Sequence, residues 1–304
     1  MSRQRTDPNR LGQRIAIVSM IVSAILATAK ITVGLKANST SVVSDGIESA
    51  GDVMTSAMVL IGLIIAARPA DHDHPYGHGR FEILTALGVG AMLGAAGSLI
   101  CFHSIQRAFD VTHVPSAFAV WPLLGSIVMK SGMWSAKRLY GRRIGSSSLL
   151  ADANNDAVDI LSGATALVAL SLTLLNPARF AAADHVGGVA VGVIVILMGL
   201  RVIRDTTLQL MDTMPDDGAL DEIRQAAMMV PGALGVEKCY ARKTGLQYHV
   251  DLHLEVDPNL SVRDSHDIAS RVRMQVRERL DWVADVLVHV EPHKLDTIAN
   301  SNGK

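Results

Sequence analysis

Hydrophobic residues along the chain fall into six long blocks separated by short polar segments. Each block approaches or exceeds the roughly 20 mostly apolar residues that an α-helix needs to cross the hydrocarbon core of a bilayer. The blocks run over 15–35, 42–67, 81–102, 117–134, 149–175 and 181–203. The pattern therefore predicts a membrane α-helical bundle of six transmembrane helices.

The pattern changes after residue 204, where the long apolar blocks give way to shorter stretches. A linker is predicted at 206–216 and a helix at 217–230. Two strands are predicted at 235–243 and 247–256. The second alternates between apolar and polar side chains, as a half-buried strand does.

A second helix and a last strand complete this region. Ser261 stands three positions before Asp264, the arrangement of a helix N-cap with an acidic third residue. The apolar stripe of the helix consists of Ile268, Val272, Val276 and Leu280. A strand is predicted at 283–290. The order αββαβ over 217–292 predicts an α+β domain of the ferredoxin-like, metallochaperone type, with a disordered tail at 293–304.

The composition supports a membrane protein and argues against a nucleic-acid-binding or disulfide-rich protein. Hydrophobic residues make up 49% and charged residues 19% of the 304 residues, and the mean hydropathy is +0.29. The net charge of -1 provides no basic face for nucleic acid. Cys101 and Cys239 are too far apart in sequence for a CxxC motif or a disulfide framework. The polar N-terminus has no cleavage motif, so the first block is expected to remain as a span.

Positive charges concentrate in alternate connecting segments, which predicts the orientation of the bundle. The richer set of segments holds Arg3, Arg5, Arg10, Arg14, Arg68, Arg80, Lys137, Arg138, Arg142, Arg143, Arg201 and Arg204. The other set holds little beyond Lys36, Arg107 and Arg179. Both termini are therefore expected in the cytoplasm, with an N-terminal tail at 1–14 and the transmembrane domain at 15–205.

Two of the predicted spans carry acidic clusters, and ionisable groups in hydrocarbon usually mark an ion or proton path. Glu48 and Asp52 are four residues apart and share one helix face, and Asn155 and Asp159 have the same spacing. Two facing pairs supply four oxygen ligands, which suits a divalent cation. The alternative is that these groups lie near helix ends and face water.

Other charged residues within the predicted spans include two acids and a lysine near these pairs. Asp45 and Asp152 precede the two pairs by about one helical turn. They are interpreted as partners of the helix dipole or as lining of a water-filled access path. Lys130 lies well inside the fourth span, where it either pairs with an acid of the bundle or extends to the interface.

Two other segments combine histidine with carboxylate, the donor types that suit zinc-like ions. The loop 68–82 is one, and its proline and glycine residues favour the fixed shape that a metal site needs. In the C-terminal domain, His253 is placed to meet His289 and Glu291 on a neighbouring strand, with His266 near the start of a helix. The alternatives are a polar surface loop and ordinary surface or core histidines.

An ion path through a membrane indicates a transporter, and two other functional classes are alternatives to it. A membrane-embedded metal sensor or scaffold would bind metal without moving it, and a flux assay separates the two. An intramembrane enzyme is disfavoured, because the sequence contains no HExxH, GxSxG or P-loop motif.

The sequence resembles the cation diffusion facilitator family over residues 11–292. The segment HPYGHGRFE at 74–82 is similar to the most recognisable motif of that family. SDGIESAGDVMTS and ADANNDAVDILSG stand where members carry ADxxHxxxDxxxS-like segments. DLHLEVDPNLSVRDSHDIA and VHVEP are similar to its C-terminal domain.

The resemblance implies a homodimer that exports Zn²⁺, Mn²⁺, Fe²⁺ or Co²⁺ from the cytoplasm in exchange for protons, by alternating access in a lipid bilayer. It implies a prokaryotic cytoplasmic membrane and no enzyme activity. The implied transport site is Glu48, Asp52, Asn155 and Asp159, and the implied loop site is Asp71, His74 and His78. The implied cytoplasmic site is Glu237, His253, His266, His289 and Glu291, and the implied charge interlock is Arg80 with Asp212.

The intramembrane site departs from the pattern of zinc-transporting relatives, which usually provide at least one histidine there. Glu48 and Asn155 occupy those positions in this chain. A set of oxygen ligands favours Mn²⁺ or Fe²⁺ relative to Zn²⁺ without excluding zinc or cobalt. With no imidazole at the site, a carboxylate such as Glu48 or Asp159 is expected to take the exchanged proton.

Overall fold

The chain forms two compact units, Met1–Leu210 and Met211–Lys304, in a computed structural model. The structure describes residues 8–36, 40–107, 120–175 and 183–293. Each unit has its own apolar core, one among long helices and one around a small sheet.

Six long helices make up the described part of the first unit, one for each predicted span. They are α1 Pro8–Lys36, α2 Thr40–Ala66, α3 Arg80–Arg107, α4 Val120–Ile144, α5 Ser147–Leu175 and α6 Ala183–Leu210. Among the described residues, the windows Pro8–Thr32, Ser49–Ala66 and Arg80–Phe102 are long and apolar enough to cross a membrane. Helices α4 and α5 carry several lysines, arginines and aspartates, which lower their hydropathy.

The outer faces of this unit remain apolar. Ile25, Met54, Leu99 and Leu197 are each more than half exposed, while the interior is filled by smaller side chains such as Val59 and Val195. Exposed apolar area on this scale is unusual on a water-soluble protein. It is the surface expected of helices that face lipid, where every backbone polar group is satisfied within its own helix.

Glycines bring α3 and α6 into close backbone contact. A Cβ atom added to Gly199 would lie 2.7 Å from the backbone nitrogen of Gly94. One added to Gly97 would lie 2.8 Å from the carbonyl oxygen of Gly192. Small residues at such spacings allow membrane helices to approach closely and pack by van der Waals contact.

Several helices continue beyond their predicted ends, because polar residues there find partners inside the protein. Helix α1 begins at Pro8 rather than at residue 15, and the Gln13 side chain donates to the Leu63 carbonyl at 3.5 Å. Helix α4 continues to Ile144, ten residues past its predicted end. Helix α6 continues to Leu210, so residues 206–210 are helical rather than part of a linker. Its Gln209 accepts a hydrogen bond from Ser147 at 2.8 Å.

The second unit has the predicted αββαβ order. Its elements are α7 Asp217–Met228, β1 Gly235–Thr244, β2 Gln247–Val256, α8 Val262–Arg279 and β3 Val283–Pro292. The sheet order is β1-β2-β3, with β1 antiparallel and β3 parallel to β2. The parallel pair is joined by α8, as a parallel connection requires a crossover.

The alternation predicted for β2 places its two faces in different environments. Val250, Leu252, Leu254 and Val256 are buried in the core, and the residues between them are only half-buried. The predicted stripe of α8 packs on the same core, and Ser261 caps this helix by accepting from the backbone of Asp264 at 3.2 Å. The polar face of β2 is thereby left free to form a site.

The predicted disordered tail begins too early. The backbone N–H of His293 donates to the Val256 carbonyl at 2.8 Å, and its ring nitrogen Nδ1 lies 2.7 Å from Glu255 Oε2. His293 therefore continues the pairing of β3 with β2. Residues 294–304 lie outside the described residues.

Candidate metal-binding sites

The acidic clusters of α2 and α5 meet inside the helical bundle. The side-chain amide of Asn155 donates to Asp52 Oδ1 at 2.8 Å, which joins one member of each predicted pair. Asp52 and Asp159 also bind the same ammonium group, so three of the four predicted ligands belong to one linked cluster. Glu48 lies on α2, and its side chain is outside the described residues.

The Lys130 ammonium occupies the centre of this carboxylate group. Its Nζ atom is 2.7 Å from Asp52 Oδ2, 2.7 Å from Asp159 Oδ2 and 3.2 Å from Asp156 Oδ1. The Lys130 side chain is 3% exposed, so the ammonium is held inside the bundle. The structure thus favours the first of the two alternatives for Lys130, pairing with acids rather than extension to the interface.

A second buried ion-pair group continues from the first along α5. Lys137 Nζ lies 2.6 Å from Asp156 Oδ2 and 2.9 Å from Asp152 Oδ2. The Ser56 hydroxyl donates to Asp152 at 3.3 Å. Asp156 therefore receives an ammonium on each oxygen and links the two groups.

These contacts correct two interpretations. Lys137 belongs to the interior of the extended α4 rather than to a positively charged connecting segment. Asp152 is fully buried and paired, so it neither faces a water-filled path nor serves only the helix dipole. Asp45 lies in α2, and its side chain is outside the described residues.

Sequence reasoning missed Asp156 and Lys30. Asp152, Asp156 and Asp159 follow one another at spacings of four and three, which places all three on one face of α5. Lys30 lies inside the first span, where its ammonium donates to the hydroxyls of Ser49 and Ser126 at 2.9 Å each. A lysine within an apolar span was the available signal.

The loop between α2 and α3 gathers its predicted ligands. Asp71 Oδ1 is 3.1 Å from His74 Nδ1, and Asp71 Oδ2 is 3.3 Å from His78 Nε2. One ligand atom from each of the three residues lies within 4.8 Å of the other two. The loop is shaped by the Gly77 amide, which donates to the His74 carbonyl at 2.9 Å, and by the positive φ of Gly77.

Hydrogen bonds fix the charge of Asp71. The backbone N–H of His74 donates to its carboxylate at 2.7 Å and holds the pKa of Asp71 below its ordinary value. The two imidazoles add to this effect, and partial desolvation opposes it. An ionised carboxylate between two imidazoles is a compact donor set for a transition-metal cation.

Directly below the loop, Glu82 joins α3 to α5. Its Oε1 atom accepts from the Ser146 hydroxyl and from the Ser148 backbone N–H, both at 2.7 Å. Glu82 is fully buried, and its carboxyl group lies at the N-terminus of α5, where it accepts from a backbone N–H of the first turn. The loop site is therefore anchored to the helix that carries Asn155 and Asp159.

In the C-terminal domain, the parallel pairing of β2 with β3 creates a histidine cluster. His253 is directly opposite His289, and their ring centroids are 5.0 Å apart. Glu291 Oε1 is 2.6 Å from His253 Nδ1 and 3.7 Å from His289 Nε2. Ligand atoms of these three residues lie within 4.8 Å of one another.

Of the two other residues predicted in this site, Glu237 lies beside the cluster and His266 does not. Glu237 adjoins the cluster, and its hydrogen bond with Glu291 is the largest of the effects that lower the pKa of Glu291, followed by the hydrogen bond with His253. His266 lies on α8, where its ring nitrogen is 3.5 Å from the Ser270 hydroxyl, and it is not part of the cluster within this chain.

The predicted interlock spans the two units. Arg80 opens α3 in the first unit, and Asp212 follows α6 in the second, with a positive φ of 58°. Their pairing stays a prediction.

The chain thus combines a bundle of long apolar helices that buries a cluster of acids with an α+β domain that has its own histidine cluster. The family description "Cation efflux transmembrane domain" matches residues 16–211, and "Cation efflux protein, cytoplasmic domain" matches residues 215–293. The chain therefore belongs to the cation diffusion facilitator family of metal cation efflux proteins, as the sequence motifs predict. It is an integral membrane protein.

Individual relatives match along most of the chain. It is 34% identical to the uncharacterized transporter MJ0449 of Methanocaldococcus jannaschii, over 90% of this chain and 96% of that protein. It is 26% identical to the manganese efflux system protein MneP of Bacillus subtilis, over 95% of this chain and 98% of that protein. Metal tolerance protein C1 of Arabidopsis thaliana is 30% identical, over 95% of this chain, which spans 64% of that longer protein.

Proposed function

We propose that the chain exports divalent transition-metal cations from the cytoplasm in exchange for protons, by alternating access of a homodimer. The observation that carries this proposal is the pairing of Asp52 and Asp159 with one ammonium inside the bundle, with Asn155 hydrogen-bonded to Asp52. Carboxylates are expensive inside a membrane, and a cation that passes through their site offsets that cost.

The oxygen-only ligand set favours Mn²⁺ or Fe²⁺ over Zn²⁺ as the substrate, with Co²⁺ also within its range. A manganese efflux system protein among the relatives supports this order. Protons are the counter-substrate, because carboxylates that release a divalent cation inside a low-dielectric bundle regain neutrality by protonation.

The two histidine clusters bind metal, but they are not part of the site at which metal is exchanged for protons. Asp71, His74 and His78 bind metal beside the end of α2, and His253, His289 and Glu291 bind metal in the cytoplasmic domain. Metal in the second site biases two protomers toward association, a regulatory role. Both termini lie in the cytoplasm, at the inner membrane of a prokaryotic cell.

The test is a flux assay in proteoliposomes with Zn²⁺, Mn²⁺, Fe²⁺, Co²⁺, Ni²⁺ and Cd²⁺. Asp52→Ala and Asp159→Ala are expected to abolish metal-driven proton exchange. Asp205→Ala is the matched control, because Asp205 is exposed on α6 and pairs with Arg201. Intact exchange in either site variant, or metal binding without flux in the wild type, would overturn the proposal.

Substitution of two residues of the same site tests the proposed preference for Mn²⁺ over Zn²⁺. Glu48→His and Asn155→His introduce the imidazole nitrogen that the site lacks, so both are expected to shift transport from Mn²⁺ toward Zn²⁺. An unchanged metal preference in both variants would show that these positions do not contact the ion.

A further inference from the structure

Lys130 stands where a transported cation would bind. Its ammonium is 2.7 Å from one oxygen of Asp52 on α2 and 2.7 Å from one oxygen of Asp159 on α5. Both contacts are ion pairs, and the one with Asp52 is a charge-assisted hydrogen bond. The two carboxylates belong to the proposed ligand set, so the lysine and the metal require the same oxygen atoms.

Simultaneous occupation is unfavourable on charge and on distance. A divalent cation binds carboxylate oxygens at about 2.0–2.2 Å, so it would lie within a few ångströms of the ammonium. Like charges repel strongly at such distances inside a low-dielectric bundle. Metal loading therefore requires the ammonium to leave Asp52 and Asp159.

Asp156 offers the ammonium an alternative partner. Its Oδ1 atom is already 3.2 Å from Lys130 Nζ, and Asp156 is outside the proposed ligand set. Its second oxygen is 2.6 Å from Lys137 Nζ, an ion pair that holds the carboxylate in position. A small movement of one flexible side chain is enough to vacate the two ligands without leaving a buried ammonium unpaired.

We infer that Lys130 is a tethered cation that competes with the transported metal for Asp52 and Asp159, and that metal loading moves its ammonium onto Asp156. This inference rests on the proposed function. It makes Lys130 a residue that sets the affinity of the site rather than a ligand, because it weakens the site enough for bound metal to leave. Transport requires binding that is favourable but not too tight.

The charges of the linked groups agree with this role. Four carboxylates, of Asp52, Asp152, Asp156 and Asp159, are joined by ion pairs to the ammoniums of Lys130 and Lys137. These carboxylates outnumber the ammoniums by two, and Glu48 adds a further acid to the proposed ligand set. The linked groups therefore favour a divalent cation, and the Lys130 charge reduces that attraction.

A static role makes the opposite prediction. If Lys130 only holds α2, α4 and α5 together, its removal loosens the carboxylates and weakens metal binding. If Lys130 competes, its removal strengthens metal binding and slows release. The sign of the affinity change therefore separates the two roles.

The test measures equilibrium Mn²⁺ binding to the purified full-length protein. The part of the binding that is lost in the Asp52→Asn variant is assigned to the intramembrane site. Lys130→Gln is expected to bind Mn²⁺ at least about tenfold more tightly and to release it more slowly. Lys130→Arg keeps the charge and is expected to stay near the wild-type affinity. A folded Lys130→Gln protein with equal or weaker affinity overturns the inference.

A second pair of variants keeps the test decisive if Lys130→Gln does not fold. Asp156→Asn removes the alternative partner of the ammonium and is expected to weaken Mn²⁺ binding about tenfold. Asp152→Asn removes the same charge from a residue that pairs with Lys137, and a smaller effect is expected. Equal effects of the two variants overturn the inference. If Asp52→Asn removes no Mn²⁺ binding at all, the proposed function itself fails.

Discussion

Asp285 on β3 shows how single contacts set charge in the soluble domain. The guanidinium of Arg273 donates two hydrogen bonds to its carboxylate, each 2.7 Å long. Partial burial alone would raise the pKa of Asp285, but these bonds dominate and lower it, and they raise the pKa of Arg273. Both groups are therefore charged at neutral pH, and the pair links α8 to β3.

This pair predicts a pH-dependent contribution to stability. Because the folded-state pKa of Asp285 is below its unfolded value of about 3.9, the stabilisation is complete above that value. It is lost as the pH falls through the folded pKa. Both side chains are half exposed, so we expect Asp285→Asn to lose roughly 0.2–1 kcal/mol at neutral pH and nothing at strongly acidic pH.

The measurement is urea unfolding of the full chain followed by Trp282 fluorescence, with Trp121 and Trp134 replaced by phenylalanine. Trp282 packs edge-on against Tyr248 with ring centroids 5.5 Å apart, so it reports on this domain. Asp267→Asn, a change of the same charge on an exposed part of α8, is the control. A stability difference that persists at acidic pH would contradict the assigned pair.

At the same scale, the sequence predicts which residues share a helix face better than it predicts their counter-ions. The helical spacing of Asp52, Asn155 and Asp159 predicts that they face one another, and the structure brings them into one cluster. The spacing of Asp156 was equally visible, but its role depends on lysines from α4. Which lysine reaches which carboxylate is decided by helix packing, and one sequence does not contain that information.

Among the elements, β2 and β3 form a site through their register. Parallel pairing places His253 opposite His289 and Glu255 opposite Glu291 on the half-buried face. The alternation of β2 predicted this face, but the strand order and register were needed to bring the two histidines together. His266 is also predicted in the site, but its ring contacts Ser270 of α8, and it is outside the cluster that the described residues form.

The cluster predicts metal binding that depends on strand residues. His253→Ala removes the imidazole bound to Glu291, so we expect metal affinity of the cytoplasmic site to fall by about ten- to a hundredfold. Zn²⁺ titration of the full-length protein, in an Asp52→Asn background, measures it. His266→Ala is the matched histidine control, and an equal loss in both variants would contradict the assignment of the site to β2 and β3.

The contact between α3 and α6 predicts unequal effects of two glycine substitutions. The Cβ of Gly199→Ala would meet the backbone of Gly94, which cannot move as a side chain does, so we expect a loss of about 1–3 kcal/mol. Gly94→Ala adds the same methyl group with nothing within 4 Å of it, and its higher helix propensity favours folding. Thermal unfolding in detergent compares the two, and similar melting temperatures would count against this packing.

Helix ends were the least predictable feature of the elements. Hydropathy ends a span where apolar residues end, but α1, α4 and α6 continue through polar residues. Those residues are stabilised by partners from other helices, such as Lys137 by Asp152 and Gln209 by Ser147. Such partners become visible only when the bundle is assembled.

For the whole molecule, the predicted interlock tests how the two units communicate. Arg80→Asp and Asp212→Arg are each expected to reduce metal flux, and the double variant is expected to restore it, because the opposite charges again face one another. Arg80→Asp combined with Asp221→Arg is the control, since Asp221 is exposed on α7 and pairs with Arg224. A double variant no better than the single ones would count against direct pairing.

The sequence alone predicts that a bundle of long helices is followed by an α+β domain. The length of the apolar blocks indicates the first unit, and the alternation along the strands indicates the second. The interior network of lysines and aspartates was not, and it governs how a cation is held. The central claim is that the transported metal binds between α2 and α5 at the place that the Lys130 ammonium takes in this structure.

The most direct measurement of that claim is the anomalous scattering of Mn²⁺ in crystals of the full-length protein. We predict a peak about 2.0–2.6 Å from oxygen atoms of Asp52, Asn155 and Asp159, with the Lys130 ammonium moved to Asp156. Mn²⁺ found only at the histidine clusters, with Lys130 still bound to Asp52 and Asp159, would contradict it.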